Sequence, residues 1–302
     1  MSEELDAERK ERLVQLLDQL ATNEWDTDSP LECVKFIRSN KSIPRILVVY
    51  EPSIVIVAQG CKVCYLGDEA YTYNPLNYLV LSVPLPIECE TFASPEEPFL
   101  GVTISVDVNA LSELLLEMDD SSASSSSVPR GIYSTPLTDE LISSTIRLLE
   151  CLNNPLDGRI LGPAIVKEII YRVLRGEQGG ALRALAARNS SFSHIAKVLK
   201  IIHSQYDAKF DIETLANDAN MSAPSFHKHF KAVTASSPLQ YLKSIRLHNA
   251  RILMVQDGIN ASTAATKVGY ESSSQFNREF KRYFGSSPAE EAAKIRTILD
   301  SP

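Results

Sequence analysis

The first 193 residues contain no histidine; all five (His194, His203, His227, His229 and His248) lie beyond them. A histidine-ligated metal centre in the β-rich half of the chain is thereby excluded, since such centres depend on imidazole. Long hydrophobic runs are also missing. No apolar stretch approaches the roughly 20 residues needed to span a bilayer. The opening MSEELDAERKERLVQ is acidic and helical in pattern, unlike a secretory leader. These absences point to a cytoplasmic protein with no membrane partner. Cysteines are few and odd in number (Cys33, Cys61, Cys64, Cys89 and Cys151). In a reducing compartment they are expected to be free thiols. Cys61 and Cys64 have a motif-like spacing, but strand alternation turns residues three apart to opposite faces, which argues against a shared metal. The expectation is no metal and no cofactor.

What is present is unevenly placed. The chain has 302 residues and a formal net charge of −8, long enough for two domains. From Ser190 onward there are 14 Lys and Arg against 10 Asp and Glu, a balance of +4, whereas the rest holds 16 against 28. An acidic body carrying a mildly basic end suggests a division of labour, although charge alone is a weak sign of nucleic acid.

Leu13, Leu16, Leu17 and Leu20 continue a helical period over residues 5–20. A β-rich stretch then begins near Ile43, with RILVVYEPSIVIVAQG, CKVCYLGDEAYTYNPLNYLVLSVPLPIECETF and PFLGVTISVD. LGDEAYTY reads as a hairpin turning at Gly67-Asp68. At least six short strands without intervening helices suggest an antiparallel sandwich or barrel. Beyond Ala110 the pattern turns helical. DDSSASSSSVPRG (119–131) reads as a mobile polar loop in preference to a phosphorylation site. Helices follow over 137–152 and over 158–176, the second ended by Gly176. The region around Asn189-Ser190-Ser191 is the candidate domain boundary, giving domains 1–190 and 191–302.

The C-terminal part repeats itself at an offset of 50 residues: Phe226 falls on Phe276, Phe230-Lys231 on Phe280-Lys281, and Ser237-Pro238 on Ser287-Pro288. Each copy reads as helix, short turn, helix. Ser222 and Ser272 are the expected caps of the second helices, with Pro224 in the first turn of one. The Phe pairs form one buried stripe at i, i+4. The opposite faces carry Ser225, His227, Lys228 and Lys231, or Ser273, Ser274, Asn277, Arg278 and Lys281. These side chains can hydrogen-bond base edges and phosphates, and helix-turn-helix units present them to DNA. YLKSIRLHNARILMV (241–255) forms a helical run between the copies, about 22 Å long at 1.5 Å per residue.

The second copy, AATKVGYESSSQFNREFKRYFGSSP, resembles the AraC/XylS family of transcriptional regulators, as do LANDANMSAPSFHKHFK and RLHNARILM. The resemblance covers about 200–295. VAQGCKVCYLG and ILGPAIVKEIIYRVLRG are similar to the N-terminal domain of one AraC-type subgroup. The resemblance implies an α+β protein with an N-terminal cupin-like barrel, flanking helices, and an all-α C-terminal domain with two helix-turn-helix units. It places base reading on Ala223, Pro224, His227 and Lys228 in the first recognition helix. In the second it places it on Ser273, Ser274, Asn277 and Arg278. Ser222, Lys231, Lys243, Arg246, Ser272 and Lys281 either touch phosphates or support the fold.

The implied partners are double-stranded operator DNA, RNA polymerase, a second copy of the chain and a small-molecule effector. Tyr50, Gln59, Tyr65, Tyr71, Tyr73 and Tyr78 either wall an effector pocket or belong to the barrel core or a dimer surface. Leu141, Ile142, Ile146 and Leu149 either form a dimer contact or pack on the barrel or the DNA-binding half. A zinc-thiolate methyl acceptor built from Cys33, Cys61, Cys64 and Cys89 lacks a recognised ligand spacing. The expected function is non-enzymatic DNA-binding regulation by an effector, with control by a protein partner or by thiol redox state as the alternative.

Overall fold

The computed structural model describes residues 2–118, 129–176, 179–187 and 190–300. Most of the Ser-rich stretch at 119–131, and Asn189, lie outside the described residues. The chain divides into two compact units, Met1–Ser193 and His194–Pro302.

The first unit opens with helix α1 (Ser2–Leu20), whose Leu13, Leu16 and Leu17 are buried. Nine strands follow before the next helix: β1 (Trp25–Asp28), β2 (Val34–Ser39), β3 (Ile43–Tyr50), β4 (Ser53–Gln59), β5 (Cys61–Leu66), β6 (Glu69–Tyr73), β7 (Asn77–Leu81), β8 (Leu85–Phe92) and β9 (Phe99–Ser105). Then come α2 (Val108–Glu117), β10 (Ile132–Pro136), α3 (Asp139–Leu152), α4 (Pro155–Arg175) and α5 (Gly180–Ala186). The strands begin earlier than the sequence pattern suggests. β1 and β2 precede Ile43, and WDTD and VKFIRS are too polar and too short to stand out.

All the pairings are antiparallel, in a six-stranded sheet ordered β1-β2-β9-β4-β7-β10 and a four-stranded sheet ordered β3-β8-β5-β6. The expected hairpin is β5–β6, with Leu66 opposite Glu69 and Gly67 at φ +62°. Alternation sorts the side chains. Lys35, Ile37, Thr103 and Ser105 line a cavity facing the smaller sheet. Val34, Phe36, Val102 and Ile104 therefore turn to the opposite face, where α1 packs against β4 and β9.

One sequence expectation is overturned here. Cys64 and Cys89 are not free thiols but a disulfide, 25 residues apart along the chain. The register sets them directly opposite on β5 and β8, a relation that spacing along the chain does not reveal. Cys33, Cys61 and Cys151 are free.

Helix α3 is capped by Thr138, whose side chain accepts from Leu141 N–H at 3.3 Å, and α4 ends at Gly176. Leu141, Ile142 and Leu149 are buried and Ile146 is half-buried, with α3 packed against α1 and α4. On α4, by contrast, Leu156, Ile160 and Leu161 are between 54% and 69% exposed.

The second unit is helical: α6 (Ser191–Ser204, which crosses the division), α7 (Ile212–Asp218), α8 (Ala223–Thr234), α9 (Pro238–Gln256), α10 (Ala261–Lys267), α11 (Ser273–Phe284) and α12 (Pro288–Asp300). The helix between the repeats is longer than the sequence reading by three residues at its start. Ser237 and Gln240 form a capping box there, with Pro238 at the first helical position.

Candidate nucleic-acid interface

Each repeat is a short helix, a turn through a positive-φ residue, and a longer helix. The turns use Asn220 (φ +51°) in α7–α8 and Gly269 (φ +82°) in α10–α11. Gly269 has a second reason to be glycine: a Cβ there would lie 2.4 Å from the Asp207 carbonyl oxygen. Both turns close with the same hydrogen bond, Met221 N–H to Ala216 O and Tyr270 N–H to Ala265 O, each at 2.9 Å.

Beneath the turns, Phe226 and Phe230 are fully buried with ring centroids 5.4 Å apart, and Phe276 and Phe280 repeat this at 5.4 Å. Phe230 then meets Tyr241 of α9 edge-on at 5.4 Å. Tyr270 and Phe284 complete the second cluster, together with Leu247, Met254 and Val268. The buried stripes fix which faces remain outside.

Those outer faces differ in their freedom. Pro224, His227 and Lys228 on α8 are exposed, with Ala223 half-buried; Ser273, Ser274, Asn277 and Arg278 on α11 are all exposed. Among the described residues, none of His227, Lys228, Asn277 and Arg278 makes an intramolecular hydrogen bond or ion pair, so their polar groups are available to an outside partner. Ser273 Oγ lies 3.2 Å from Ser262 Oγ. Lys231 and Lys281 are exposed on the same helices, as is Arg282, which the sequence reading passed over.

Two of the possible phosphate-contacting cations are engaged inside the fold. Arg246 donates from Nε to Tyr206 O and from a terminal nitrogen to Ala208 O, both at 2.7 Å. It clamps the chain between α6 and α7. Lys243 donates to Glu279 Oε1 at 2.9 Å, and the same carboxylate accepts from Tyr270 Oη at 2.9 Å and Gln275 Nε2 at 3.2 Å. Burial opposes ionisation of Glu279, but the bonds from Lys243, Gln275 and Tyr270 more than offset it and hold the carboxyl below its usual range. Sequence reasoning missed Glu279, because two of its three partners are 36 and nine residues away.

The caps differ too. Ser272 accepts from Gln275 N–H at 3.3 Å. Ser222 occupies the corresponding position without a side-chain cap bond, a departure from expectation. Pro224, in the first turn of α8, leaves that helix one N–H fewer to satisfy.

Two histidines, the half-buried His203 and the buried His248, brace α9. His203 Nε2 lies 2.7 Å from Tyr241 Oη, and His248 Nδ1 lies 3.4 Å from an Arg251 nitrogen. Burial lowers the His203 pKa to about 4. Burial, then the Arg251 charge, lowers that of His248 to about 3.

In the β unit, a cavity of about 390 Å³ lies between the two sheets. Tyr50 lines it beside Ile46, Val48, Thr91 and the cations Lys35 and Lys62. Lys35 pairs with Asp28 at 3.3 Å. Lys62 has no carboxylate within ion-pair distance among the described residues; its ammonium lies 5.5 Å from the Tyr50 ring centroid and 5.7 Å from that of Phe99. The other sequence-selected residues disperse. Gln59 lines a separate cavity and donates to Pro98 O. Tyr65 stacks under Arg45, and Tyr71 donates to Glu69. Tyr73 and Tyr78 are buried. The signal that could have found Lys62 is its two-residue phase with Cys64 and Leu66 on β5.

A two-sheet β domain with a helical domain containing two helix-turn-helix units is the architecture of a class of transcriptional regulators. Residues 30–181 match the AraC-type transcriptional regulator N-terminus, and residues 215–293 match a helix-turn-helix domain. The chain belongs to the AraC-type family of transcriptional regulators. It is 24% identical over 161 residues to the Msm operon regulatory protein of Streptococcus mutans, covering 53% of this chain and 57% of that protein. It is 34% identical over 94 residues to the HTH-type transcriptional regulator AlkR of Acinetobacter baylyi, 31% of each. These matches span little more than half of those relatives at most. ToxT from Vibrio cholerae shares the fold, with a TM-score of 0.58 at 13% identity over 85% of this chain and 97% of that one. ToxT has also been solved with a bound unsaturated fatty acid, in a structure of TM-score 0.53 at 10% identity covering 89% of this chain and 97% of that one.

Proposed function

We propose that this chain is a sequence-specific, DNA-binding regulator of transcription without catalytic activity, which reads operator DNA with α8 and α11. The observation that carries this reading is the doubled frame. Two buried Phe pairs hold two helices whose opposite faces keep His227, Lys228, Asn277 and Arg278 free of internal partners. Helix α11 carries most of the base readout. The Asn277 amide matches the paired donor and acceptor of adenine, and the Arg278 guanidinium matches guanine O6 and N7. Ala223 and Pro224 offer only apolar or backbone contacts, so α8 reads fewer bases. Lys231 and Lys281 serve phosphates, while Lys243 and Arg246 hold the fold.

The cavity between the sheets is the proposed seat of a small-molecule effector. The unpaired Lys62 supports this, as does the likeness in fold to fatty-acid-bound ToxT. Effector binding shifts the orientation or dimerisation of the DNA-binding halves. The protein acts in the cytoplasm as a homodimer, for which the exposed Leu156, Ile160 and Leu161 supply an apolar surface, and it works alongside RNA polymerase. A mobility-shift assay on the DNA upstream of its own gene tests the reading. The expected result is a complex that survives at about 0.2 M salt, where non-specific binding fades. Equal binding of that DNA and random DNA would overturn it.

A further inference from the structure

The disulfide between Cys64 and Cys89 sits where a purely structural bridge is least expected. β8 and β5 are the two inner strands of the smaller sheet, already joined by a full ladder. The two residues face each other at a Cα separation of 4.3 Å, the close, non-hydrogen-bonded kind of antiparallel pair. Both are buried, yet Cys89 forms part of the wall of the 390 Å³ cavity, two register pairs from the wall residues Lys62 and Thr91. The cavity therefore brings small solutes to the Cys89 side of the bond, while the sheets shield both sulfurs from protein thiols. The Tyr73 hydroxyl lies 3.6 Å from Cys64 Sγ. Burial, then the neighbouring Tyr50, raises the Tyr73 pKa.

A regulator that works on DNA inside a bacterial cell is bathed in reducing thiols, where disulfides are typically transient and redox-sensing. We propose that Cys64 and Cys89 are a reversible thiol–disulfide pair, closed by a small two-electron oxidant that enters through the cavity, and that its state sets DNA affinity. With hydrogen peroxide the chemistry balances. The Cys89 thiolate attacks one peroxide oxygen, the O–O bond breaks, and hydroxide leaves to take up a proton as water. The resulting sulfenic acid is attacked by Cys64 sulfur, the S–O bond breaks, and a second water departs with the Cys64 proton. Two thiols are oxidised and one peroxide is reduced. Opening the bond frees β5 from its covalent tie to β8 and relaxes the cavity wall at Cys89, so effector seating and redox state are read by one element. This inference rests on the DNA-binding reading above.

The test uses the full chain and the DNA upstream of its own gene. Purified protein is reduced with dithiothreitol without denaturant, then treated with one equivalent of hydrogen peroxide. Alkylation and peptide mass spectrometry follow each step. The expected result is loss of both alkylatable thiols at Cys64 and Cys89, their return with dithiothreitol, and at least a threefold difference in DNA affinity between the states. A Cys33→Ser/Cys61→Ser/Cys151→Ser variant should keep that difference, and Cys64→Ala/Cys89→Ala should lose it. If either variant fails to fold, the wild-type measurements still decide. A bond that resists dithiothreitol until the protein unfolds would overturn the proposal. So would thiols that stay alkylatable after peroxide, or equal affinity in both states. Absence of specific DNA binding in either state would instead sink the regulator reading.

Discussion

In the first helix-turn-helix unit the recognition helix starts Ala223-Pro224, behind a serine that makes no cap bond. In the second it starts Ser273-Ser274, behind Ser272, which accepts from Gln275 N–H at 3.3 Å. The first turn uses Asn220 and the second Gly269; the first helix ends in a left-handed Ala235 and the second in a left-handed Gly285. Helix α11 is tied to α9 through Lys243 and Glu279, whereas the equivalent of Glu279 on α8 is His229. The buried frames are the same, and the polar dressing is not. Duplication preserves what packing demands, namely the Phe pairs and the turn hydrogen bonds, and leaves the outward face free to diverge. The second unit presents more hydrogen-bonding side chains on its outward face, on a helix fixed by more hydrogen bonds.

The frames can be broken first. Phe226→Ala and Phe276→Ala should each cost about 3–5 kcal/mol, as large buried aromatics do, measured by urea unfolding. A loss confined to one of them would show that the two cores are not equivalent. Gly269→Ala should cost more than about 2 kcal/mol, combining left-handed strain with the clash at Asp207. Asn220→Gly should stay within about 0.5 kcal/mol, because asparagine tolerates that region but gains little from it.

Acid probes the braces of α9. His203 and His248 have folded pKa values of about 4 and about 3, below the unfolded value of about 6.5. The unfolded chain therefore binds protons first. Stability is fully present above about pH 6.5 and is lost as pH falls toward the folded values, by roughly 2 kcal/mol per histidine at pH 5. His203→Gln should flatten part of that slope in thermal melts recorded between pH 7 and 5. The smallest effect lies at the helix ends: Ala235→Gly should stabilise by up to about 1 kcal/mol, by relieving a left-handed alanine. No gain in melting temperature would argue against strain at that position.

Much of the C-terminal unit was legible because its signals are local. Caps, Phe stripes at i, i+4 and the repeat all lie within a few turns of helix. The β unit was legible as strands but not as a register. Nothing within CKVCYL or LPIECETF indicates that Cys64 meets Cys89, since pairing across 25 residues is decided by the whole sheet. β1 and β2 were lost for a related reason: WDTD and VKFIRS become strands by pairing with each other and with β9, not by their own periodicity. At the interface, sequence identified the outward residues of α8 and α11. It did not separate Lys243 and Arg246, which are held by Glu279 and by backbone carbonyls, from Lys231 and Lys281, which are exposed.

The claim that the second recognition helix does most of the base reading is tested most directly by one comparison. The ratio of affinities for the chain's own upstream DNA and for random DNA is measured at about 0.2 M salt for wild type, Arg278→Ala and Lys228→Ala. Arg278→Ala should lower the ratio by roughly 10- to 100-fold, the 1–3 kcal/mol of a bidentate base contact, and Lys228→Ala by less than the Arg278 change. An unchanged ratio in Arg278→Ala, or a larger loss in Lys228→Ala, would contradict the account.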